Sequence, residues 1–231
     1  MIVGILAPAA ILGTLALLVV LFFMRGREGV DLSPRGVLRL YLYVASLAGV
    51  VVFAVGLASV VNYGIARVAG DEFIYGGSGP KPAGIMTFGR NCPPGATGCV
   101  EPTPEQIAEQ QRIEEQQRER RRNEDLIRGL TFAVFGLLFW GAHWGARRGL
   151  GEDAGASALR RGYLMLGTAV FGLATIVLVP TGVYQALSNA VLTTPESAYR
   201  SVADALGGGI VSLPIWLLYL RLAVAELRPG S

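Results

Sequence analysis

The sequence predicts an all-α membrane protein with about five transmembrane helices. Of its 231 residues, 52% are hydrophobic and only 16% are charged, and the mean hydropathy is +0.48. A soluble domain carries about 25% charged residues, so this deficit indicates a lipid environment. The apolar residues fall into five long runs, each close to the ~20 residues that a helix needs to cross a hydrocarbon core of about 30 Å.

The five runs divide the chain into segments. They are residues 2–24, 40–61, 129–146, 163–184 and 205–224. Because the runs are continuous and lipid cannot satisfy the open edge of a strand, we expect helices. The first run is followed, not preceded, by basic residues, which favours a retained helix over a cleaved signal peptide. We predict a leading helix with a cytoplasmic loop (1–34), a second transmembrane helix (35–68), an extracytoplasmic loop and charged helix (69–125), a third transmembrane helix (126–149), and the fourth and fifth with a cytoplasmic tail (150–231).

Arginines in the connections predict the orientation. The connections 25–39 and 147–161 carry four arginines each, and such loops face the cytoplasm. This places the N-terminus outside and predicts a multi-pass protein of the bacterial plasma membrane. Arg120, Arg121 and Arg122 argue the other way, since they would lie outside. We let Cys92 and Cys99 decide: the turn-rich residues between them favour a disulfide, which persists in an oxidising compartment, although two free thiols are the alternative.

The connection 69–125 has two parts. Its first part is rich in glycine and proline, with short apolar runs at 73–75 and 85–88 that predict a small β-hairpin. Thr103, Pro104 and Glu105 are then typical of a helix start. No glycine or proline interrupts 105–128, so the helix should continue into the third transmembrane helix as a rod of about 60 Å. Its polar end is expected to protrude from the membrane, either as a solvated helix or as a docking surface for a partner.

The helices after the first form an internal repeat. Residues 38–43 and 159–164 are similar helix starts, containing Tyr41 and Tyr163. Residues 137–144 and 212–219 are similar helix ends, in which Trp140 corresponds to Trp216 and His143 to Tyr219. The sequence therefore predicts one leading helix followed by two helical hairpins in parallel repeat.

Small residues at four-residue spacing predict where helices approach closely, because they let the backbones come together. The pairs are Ala45 with Gly49, Ala54 with Ala58, and Gly141 with Gly145.

Two of these motifs resemble a known family. The block from Trp140 to Trp144, and the later block from Ser157 to Leu164, resemble the DUF5671 family of prokaryotic membrane proteins. That family has an Arg-x-x-Tyr-Leu-Tyr helix start, a Trp-x-x-His-Trp helix end and repeated helix pairs. The resemblance covers 35–68 and 126–225, without the first helix or the long connection. Tyr219 differs from the family pattern, because it occupies the position in the second repeat that is equivalent to His143. The resemblance implies a fold and no established activity.

His143 is the only histidine, and it is the first candidate for a ligand. Between Trp140 and Trp144 it reads as an interfacial residue that hydrogen-bonds to another helix. The alternative is an axial ligand of a tetrapyrrole: a six-coordinate haem would need a second strong ligand, whereas a chlorophyll needs only one. No cofactor is assigned. The same choice between ligand and interhelix contact applies to six aromatic residues: Tyr41, Trp140, Trp144, Tyr163, Trp216 and Tyr219.

The remaining motifs exclude several functions. We find no nucleophile–base pair, phosphate loop or paired carboxylates, so we expect neither catalytic residues nor an enzyme. Cys92 and Cys99 lack nearby histidines and fall short of a four-ligand metal site. No basic stretch is interleaved with aromatics as in nucleic-acid binders. The leading hypothesis is a non-catalytic membrane subunit or scaffold within a larger assembly, with partner subunits or self-association in the bilayer. The alternatives are a pigment- or haem-binding protein using His143 and a small-solute channel or transporter.

Overall fold

The computed structural model describes residues 33–75, 103–151, 154–191 and 202–227. Within these ranges the chain is almost wholly helical and has no strand. The helices are α1 (Pro34–Ala69), α2 (Asp71–Tyr75), α3 (Pro104–Gly149), α4 (Ala154–Val191) and α5 (Ala203–Leu227). The predicted leading helix and the predicted pairing of Cys92 with Cys99 lie outside the described residues.

In the part of the chain that the structure describes, four helices are long and apolar enough to cross a membrane. The spans are Pro34–Ala69, Pro104–Gly149, Leu159–Ser188 and Ala203–Glu226. These four correspond to the second to fifth predicted helices. The predicted all-α class is therefore confirmed for the described part of the chain, and the helices are compatible with a multi-pass membrane protein.

Local sequence signals set the ends of α1. The Ser33 hydroxyl accepts a hydrogen bond from the Gly36 N–H at 3.2 Å, and Pro34 occupies the first turn, where its missing N–H costs nothing. At the other end Gly70 has a φ of 95°, a conformation that glycine adopts without a steric penalty. Its N–H donates to the Ala66 carbonyl at 3.0 Å. The chain can therefore turn at once into α2.

The long helix α3 is continuous across the predicted boundary at 125/126. At its start the Gln106 N–H donates to the Thr103 hydroxyl at 3.3 Å, and the Thr103 N–H donates to the Gln106 side chain at 3.0 Å. This reciprocal pair satisfies two N–H groups that a helix start otherwise leaves unpaired. The helix has 46 residues, or about 70 Å at 1.5 Å per residue. The predicted rod is confirmed and is slightly longer than expected.

The helices form two antiparallel pairs, α1 with α3 and α4 with α5, and α1 also packs against α5 and α4. At one end of this bundle α1 and α4 begin and α3 and α5 end. We call it the arginine end, because Arg39, Arg147, Arg148 and Arg160 lie there.

Glycines bring α1 and α3 into backbone contact. A Cβ added to Gly49 would lie 2.8 Å from the backbone nitrogen of Trp140, and Cβ atoms on Gly56 and Gly136 would overlap the backbones of Ala133 and Phe53. The predicted pair Gly141 and Gly145 does not have this role within the described part, where nothing lies within 4 Å of either added Cβ. That part of the spacing prediction was wrong, because four-residue spacing does not reveal which face meets α1.

The second pair, α4 with α5, packs through aromatic rings and hydroxyls. Phe171 and Tyr219 stack at 5.8 Å between ring centroids and share a buried cluster with Leu47 and Leu164. Deeper in the pair the Thr175 hydroxyl donates to the Phe171 carbonyl at 2.7 Å and lies 3.1 Å from the buried Ser212 hydroxyl. Bonding to a backbone carbonyl satisfies a hydroxyl that lipid could not.

The β-hairpin prediction is wrong for residues 73–75. These residues lie in the short helix α2, where Ile74 is fully buried against Ala66 and Ala203. The Val202 N–H donates to the Ile74 carbonyl at 3.1 Å, so α2 fills the space between the end of α1 and the start of α5. Burial against two helices outweighs the weak β preference of this short apolar run. The other predicted run of the hairpin, 85–88, lies outside the described residues.

Candidate ligand-binding cavity

A cavity of about 1350 Å³ lies between α3 and α5 at the arginine end, and α1 and α4 also contribute to its lining. Its volume exceeds the 300–1,000 Å³ that is usual for small-molecule sites. Along α3 the lining extends from Leu137 to Arg148, about 16 Å of helix. That depth is close to half of a hydrocarbon core of about 30 Å.

Apolar and aromatic side chains line most of the cavity. Trp140 and Trp144 stack at 5.9 Å between ring centroids and present their rings from α3. The rest of this wall comprises Tyr43, Val50, Phe53, Leu137, Tyr163, Leu164, Ile215, Leu218, Tyr219 and Leu222. Such a surface suits a hydrocarbon chain and offers a charged group little in this region.

Charged residues line the cavity only at its arginine end. Arg39, Arg147, Arg148 and Arg160 are joined there by one acid, Glu226. Arg39 donates to the Leu150 carbonyl at 3.2 Å, and Arg160 pairs with Glu226 at 3.0 Å. Among the residues that the structure describes, four arginines against one glutamate leave an excess of positive charge. The cavity therefore has one cationic end and long apolar walls.

Arg147 is held between the two helix pairs. Its guanidinium lies 4.5 Å from the ring centroid of Tyr43 on α1 and 5.4 Å from that of Tyr163 on α4. These two rings are themselves 5.5 Å apart. Cation–π attraction fixes the side chain in place, yet its Nη1 atom is buried and has no hydrogen-bond partner. A buried N–H without an acceptor is costly, and this one belongs to a side chain that lines the cavity.

Arg148 is positioned in a similar way by one ring. Its guanidinium lies 3.6 Å from the centroid of the Trp144 ring. A guanidinium stacked flat on a ring keeps its N–H groups in the stacking plane, where they can meet an acceptor at the edge. Arg147 and Arg148 thus supply two oriented cations from consecutive positions of α3.

Tyr163 and Tyr219 form part of the cavity wall on the side of the second pair. Their hydroxyl oxygens are 2.6 Å apart, and their ring centroids 5.6 Å. Tyr219 is buried, and its ring covers Gly167, where an added Cβ would overlap it. This short hydrogen bond ties the start of α4 to the end of α5 beside Arg147.

The equivalent contact in the first pair joins Tyr41 and His143, and neither residue lines the cavity. His143 Nδ1 lies 2.7 Å from the Phe139 carbonyl and Nε2 lies 3.4 Å from the Tyr41 hydroxyl. A carbonyl can only accept, so Nδ1 carries the proton and a neutral ring accepts at Nε2 from Tyr41. Both nitrogens have partners, and the geometry is that of an interhelix contact.

A second polar cluster lies at the opposite end of the bundle, where α2 meets α3. The Tyr75 hydroxyl donates to the Asp125 carboxylate at 3.0 Å, and Arg128 donates to the same carboxylate at 2.6 Å. Arg122 donates to Asp71 at 3.0 Å. Burial, and then the neighbouring Asp125 charge, raise the pKa of the Tyr75 phenol well above its usual range. This cluster fastens the middle of α3 to the end of α1 through α2.

One family model matches the chain. It is described as a domain of unknown function (DUF5671) and covers residues 105–213. That segment of the chain is therefore similar to DUF5671 domains. No curated protein and no solved structure matches the chain.

The DUF5671 match confirms the resemblance drawn from the sequence and changes its extent. The match begins in the polar half of α3, which the sequence comparison had left outside the resemblance, and includes α4 and the first half of α5. Helix α1 precedes the match. The cavity is therefore lined both by the DUF5671 segment and by side chains of α1, such as Tyr43.

The structure divides the predicted site residues into two groups. Trp140, Trp144, Tyr163 and Tyr219 line the cavity. Tyr41 and His143 pair elsewhere, and the indole of Trp216 packs against Gly172, 2.8 Å from the position of an added Cβ. Among the described residues, no group of three or more His, Cys, Asp or Glu could hold a metal.

Sequence reasoning missed the residues at the cationic end. It used Arg39, Arg147, Arg148 and Arg160 only to predict orientation, and it assigned no role to Glu226. One signal was available: Arg147 follows an aromatic helix end by a single turn, so its side chain can reach the same face as Trp144 and Trp140.

Proposed function

We propose that this protein is a non-catalytic membrane protein that binds an amphiphilic molecule of the bilayer in the cavity between its two helix pairs. The observation that carries the proposal is the distribution of polarity in the cavity, which is cationic at one end and aromatic or aliphatic along the remaining ~10 Å from Leu137 to Trp144. An amphiphile has the matching distribution, with one polar head and a hydrocarbon chain. Burying the chain against these walls would provide the main favourable free energy.

The position of the cavity along the helices supports a ligand that comes from the lipid. Its lining residues lie within membrane-compatible spans and reach the end of the bundle only at the arginines. In the orientation predicted from the arginines, that end faces the cytoplasm of a bacterial cell. The ligand would then occupy the depth of the inner leaflet, with its head level with the lipid headgroups.

Mild-detergent purification followed by native mass spectrometry tests this proposal. The expected result is a stoichiometric amphiphile bound to the wild-type chain. Leu218→Trp enlarges a side chain that lines the apolar part of the cavity, and should lower the bound fraction because the indole occupies part of the path of the hydrocarbon chain. Leu217→Trp is the matched control: Leu217 is the adjacent residue, is also exposed, and does not line the cavity.

Two results would contradict the proposal. One is a wild-type chain that retains no amphiphile under conditions in which it stays folded. The other is that a segment of the same chain fills the cavity, which cross-linking from a photoreactive residue at position 218 would reveal. An adduct of lipid mass supports the proposal, whereas an adduct on a peptide from residues 1–32 means that the chain itself occupies the cavity.

A partner-binding subunit is the second candidate, and one observation favours it. Most of the side chains that the structure describes within 104–121 of α3 are exposed, and the helix is fastened immediately beyond them by the pair of Arg122 with Asp71. Such a rigid polar helix could serve as a docking surface. Copurification of a stoichiometric protein that is lost when Gln111 and Arg112 are both changed to alanine would favour this role. Purification of the chain without any stoichiometric protein partner would contradict this second candidate function.

A further inference from the structure

Arg147 and the cationic end indicate which head group the cavity takes. The Nη1 atom of Arg147 is buried without a partner, while cation–π contacts on two sides hold the guanidinium in place. The side chain cannot move out to water without losing both ring contacts. An acceptor that enters the cavity beside Arg147 therefore meets a guanidinium that is already held in place and that still has an unpaired donor.

The charges around Arg147 favour an anion over a zwitterion or a neutral head. Arg39 and Arg160 are engaged with a carbonyl and with Glu226, respectively. Arg147 and Arg148 remain as cations held by aromatic rings, and Glu226 is the only acid among the described residues of the lining. A choline or ethanolamine head would add a further positive charge to the arginine end, whereas an anionic head would neutralise part of the charge of the arginines.

From these contacts we infer that the cavity selects a lipid with an anionic phosphate head, and that Arg147 is the residue that discriminates by charge. This inference rests on the proposed amphiphile-binding function. A phosphate diester presents two free oxygens on a tetrahedral centre, which can meet donors from Arg147 and Arg148 at the same time. A planar carboxylate pairs best with a single guanidinium in the bidentate form.

The orientation rule does not by itself account for Arg147. Loop arginines that set topology need only be near the membrane surface, and Arg161 fits that description because it is exposed and does not line the cavity. Arg147, by contrast, points between two tyrosines of different helix pairs. The two residues therefore form a matched test, with the same side chain, the same end of the bundle and different surroundings.

The test measures head-group preference with the full-length chain in nanodiscs that contain equal amounts of phosphatidylglycerol and phosphatidylcholine. After transfer to mild detergent, native mass spectrometry counts the lipids that remain bound. Wild-type protein should retain phosphatidylglycerol over phosphatidylcholine by several-fold, because both lipids offer the same phosphate and only phosphatidylcholine adds a cation next to the arginines. R147Q should lose this preference while still retaining a lipid, and R161Q should keep it. R147K, which keeps the charge but not the fork of donors, should give an intermediate preference.

Each other outcome has a defined meaning. Equal retention of both lipids by the wild-type chain, or an unchanged preference in a folded R147Q, overturns the inference and leaves amphiphile binding intact. Retention of neither lipid overturns the proposed function itself. In a parallel sample containing oleic acid, preferential retention of the fatty acid over phosphatidylglycerol overturns the phosphate assignment. Thermal unfolding of each variant confirms that it is folded.

Discussion

The two helix pairs have similar sequence patterns, but the helices of each pair pack against each other in different ways. In the first pair, glycines of α1 and α3 lie against backbone: Gly49 against Trp140, Gly56 against Ala133 and Gly136 against Phe53. In the half of the second pair nearer the arginine end, glycines of α4 lie beneath rings of α5, with Gly167 under Tyr219 and Gly172 under Trp216. Farther from that end, Gly182 of α4 lies against the backbone of Leu206. Glycine thus makes room for a neighbouring backbone in one case and for an aromatic ring in the other.

This difference decides which aromatic residues reach the cavity. In the first pair Gly49 meets only the backbone and Cβ of Trp140, and the indole remains free to line the cavity. In the second pair the Trp216 indole packs against Gly172 of α4, and Tyr219 supplies the ring that lines the cavity. A sequence repeat can therefore preserve the helix arrangement while changing the use of equivalent side chains.

The largest expected effect is on the backbone contact of the first pair. Gly56→Ala places a methyl group against the backbone of Ala133, which cannot move aside as a side chain can. We expect a loss of about 2–3 kcal/mol in the free energy of unfolding, measured by thermal or denaturant unfolding in micelles. Gly64→Ala on the same helix is the control, since nothing lies within 4 Å of its added Cβ. It should be neutral or stabilising by up to about 1 kcal/mol. Equal losses at both positions would contradict the backbone contact.

A smaller effect is expected at the ring contact of the second pair. Gly172→Ala meets the edge of the Trp216 indole, and a ring can rotate slightly where a backbone cannot. The expected loss is about 1–2 kcal/mol, accompanied by a change in tryptophan emission. A loss as large as that of Gly56→Ala, without any spectral change, would mean that the two pairs do not differ in this way.

Of the two interhelix hydrogen bonds, the shorter one should contribute more to the free energy of unfolding. Tyr163→Phe removes the 2.6 Å bond to Tyr219 and should cost about 1 kcal/mol. Tyr41→Phe removes a 3.4 Å contact with His143, beyond the usual range, and should cost less than about 0.5 kcal/mol. Unfolding of the two variants in the same detergent compares them directly. A larger cost for Tyr41→Phe would reverse the order we assign.

The smallest effect is a local response to alkaline pH at the junction of α2 and α3. The pKa of Tyr75 is raised in the folded chain, so the neutral phenol is the form that the fold stabilises. Its contribution is fully present below the unfolded value of about 10 and is lost as pH rises towards and through the raised folded value. Wild-type protein should therefore lose stability above about pH 10 relative to Tyr75→Phe, measured as the difference in thermal midpoint. A difference that stays constant with pH would exclude this linkage.

Helix location was predictable from the sequence, and side-chain environment largely was not. The run of helix formers from 105 to 128 and the Thr103 cap identified α3 before any contact was known, because caps and propensities act locally. The short apolar run 73–75 was misread as a strand because burial against α1 and α5, which local sequence does not encode, decided its conformation. Trp140 and Trp216 looked equivalent for a related reason: only the packing of α3 and α5 shows which indole is left for the cavity.

The most direct test of the account compares these two tryptophans in lipid. Single-tryptophan proteins that retain Trp140 or Trp216, with the other tryptophans changed to Phe, are placed in phosphatidylcholine nanodiscs containing a few per cent of brominated phosphatidylglycerol. The account predicts that Trp140 emission is quenched well beyond the mole fraction of the brominated lipid, whereas Trp216 emission is quenched only in proportion to it. Equal proportional quenching at both positions would contradict the binding of an anionic lipid in the cavity.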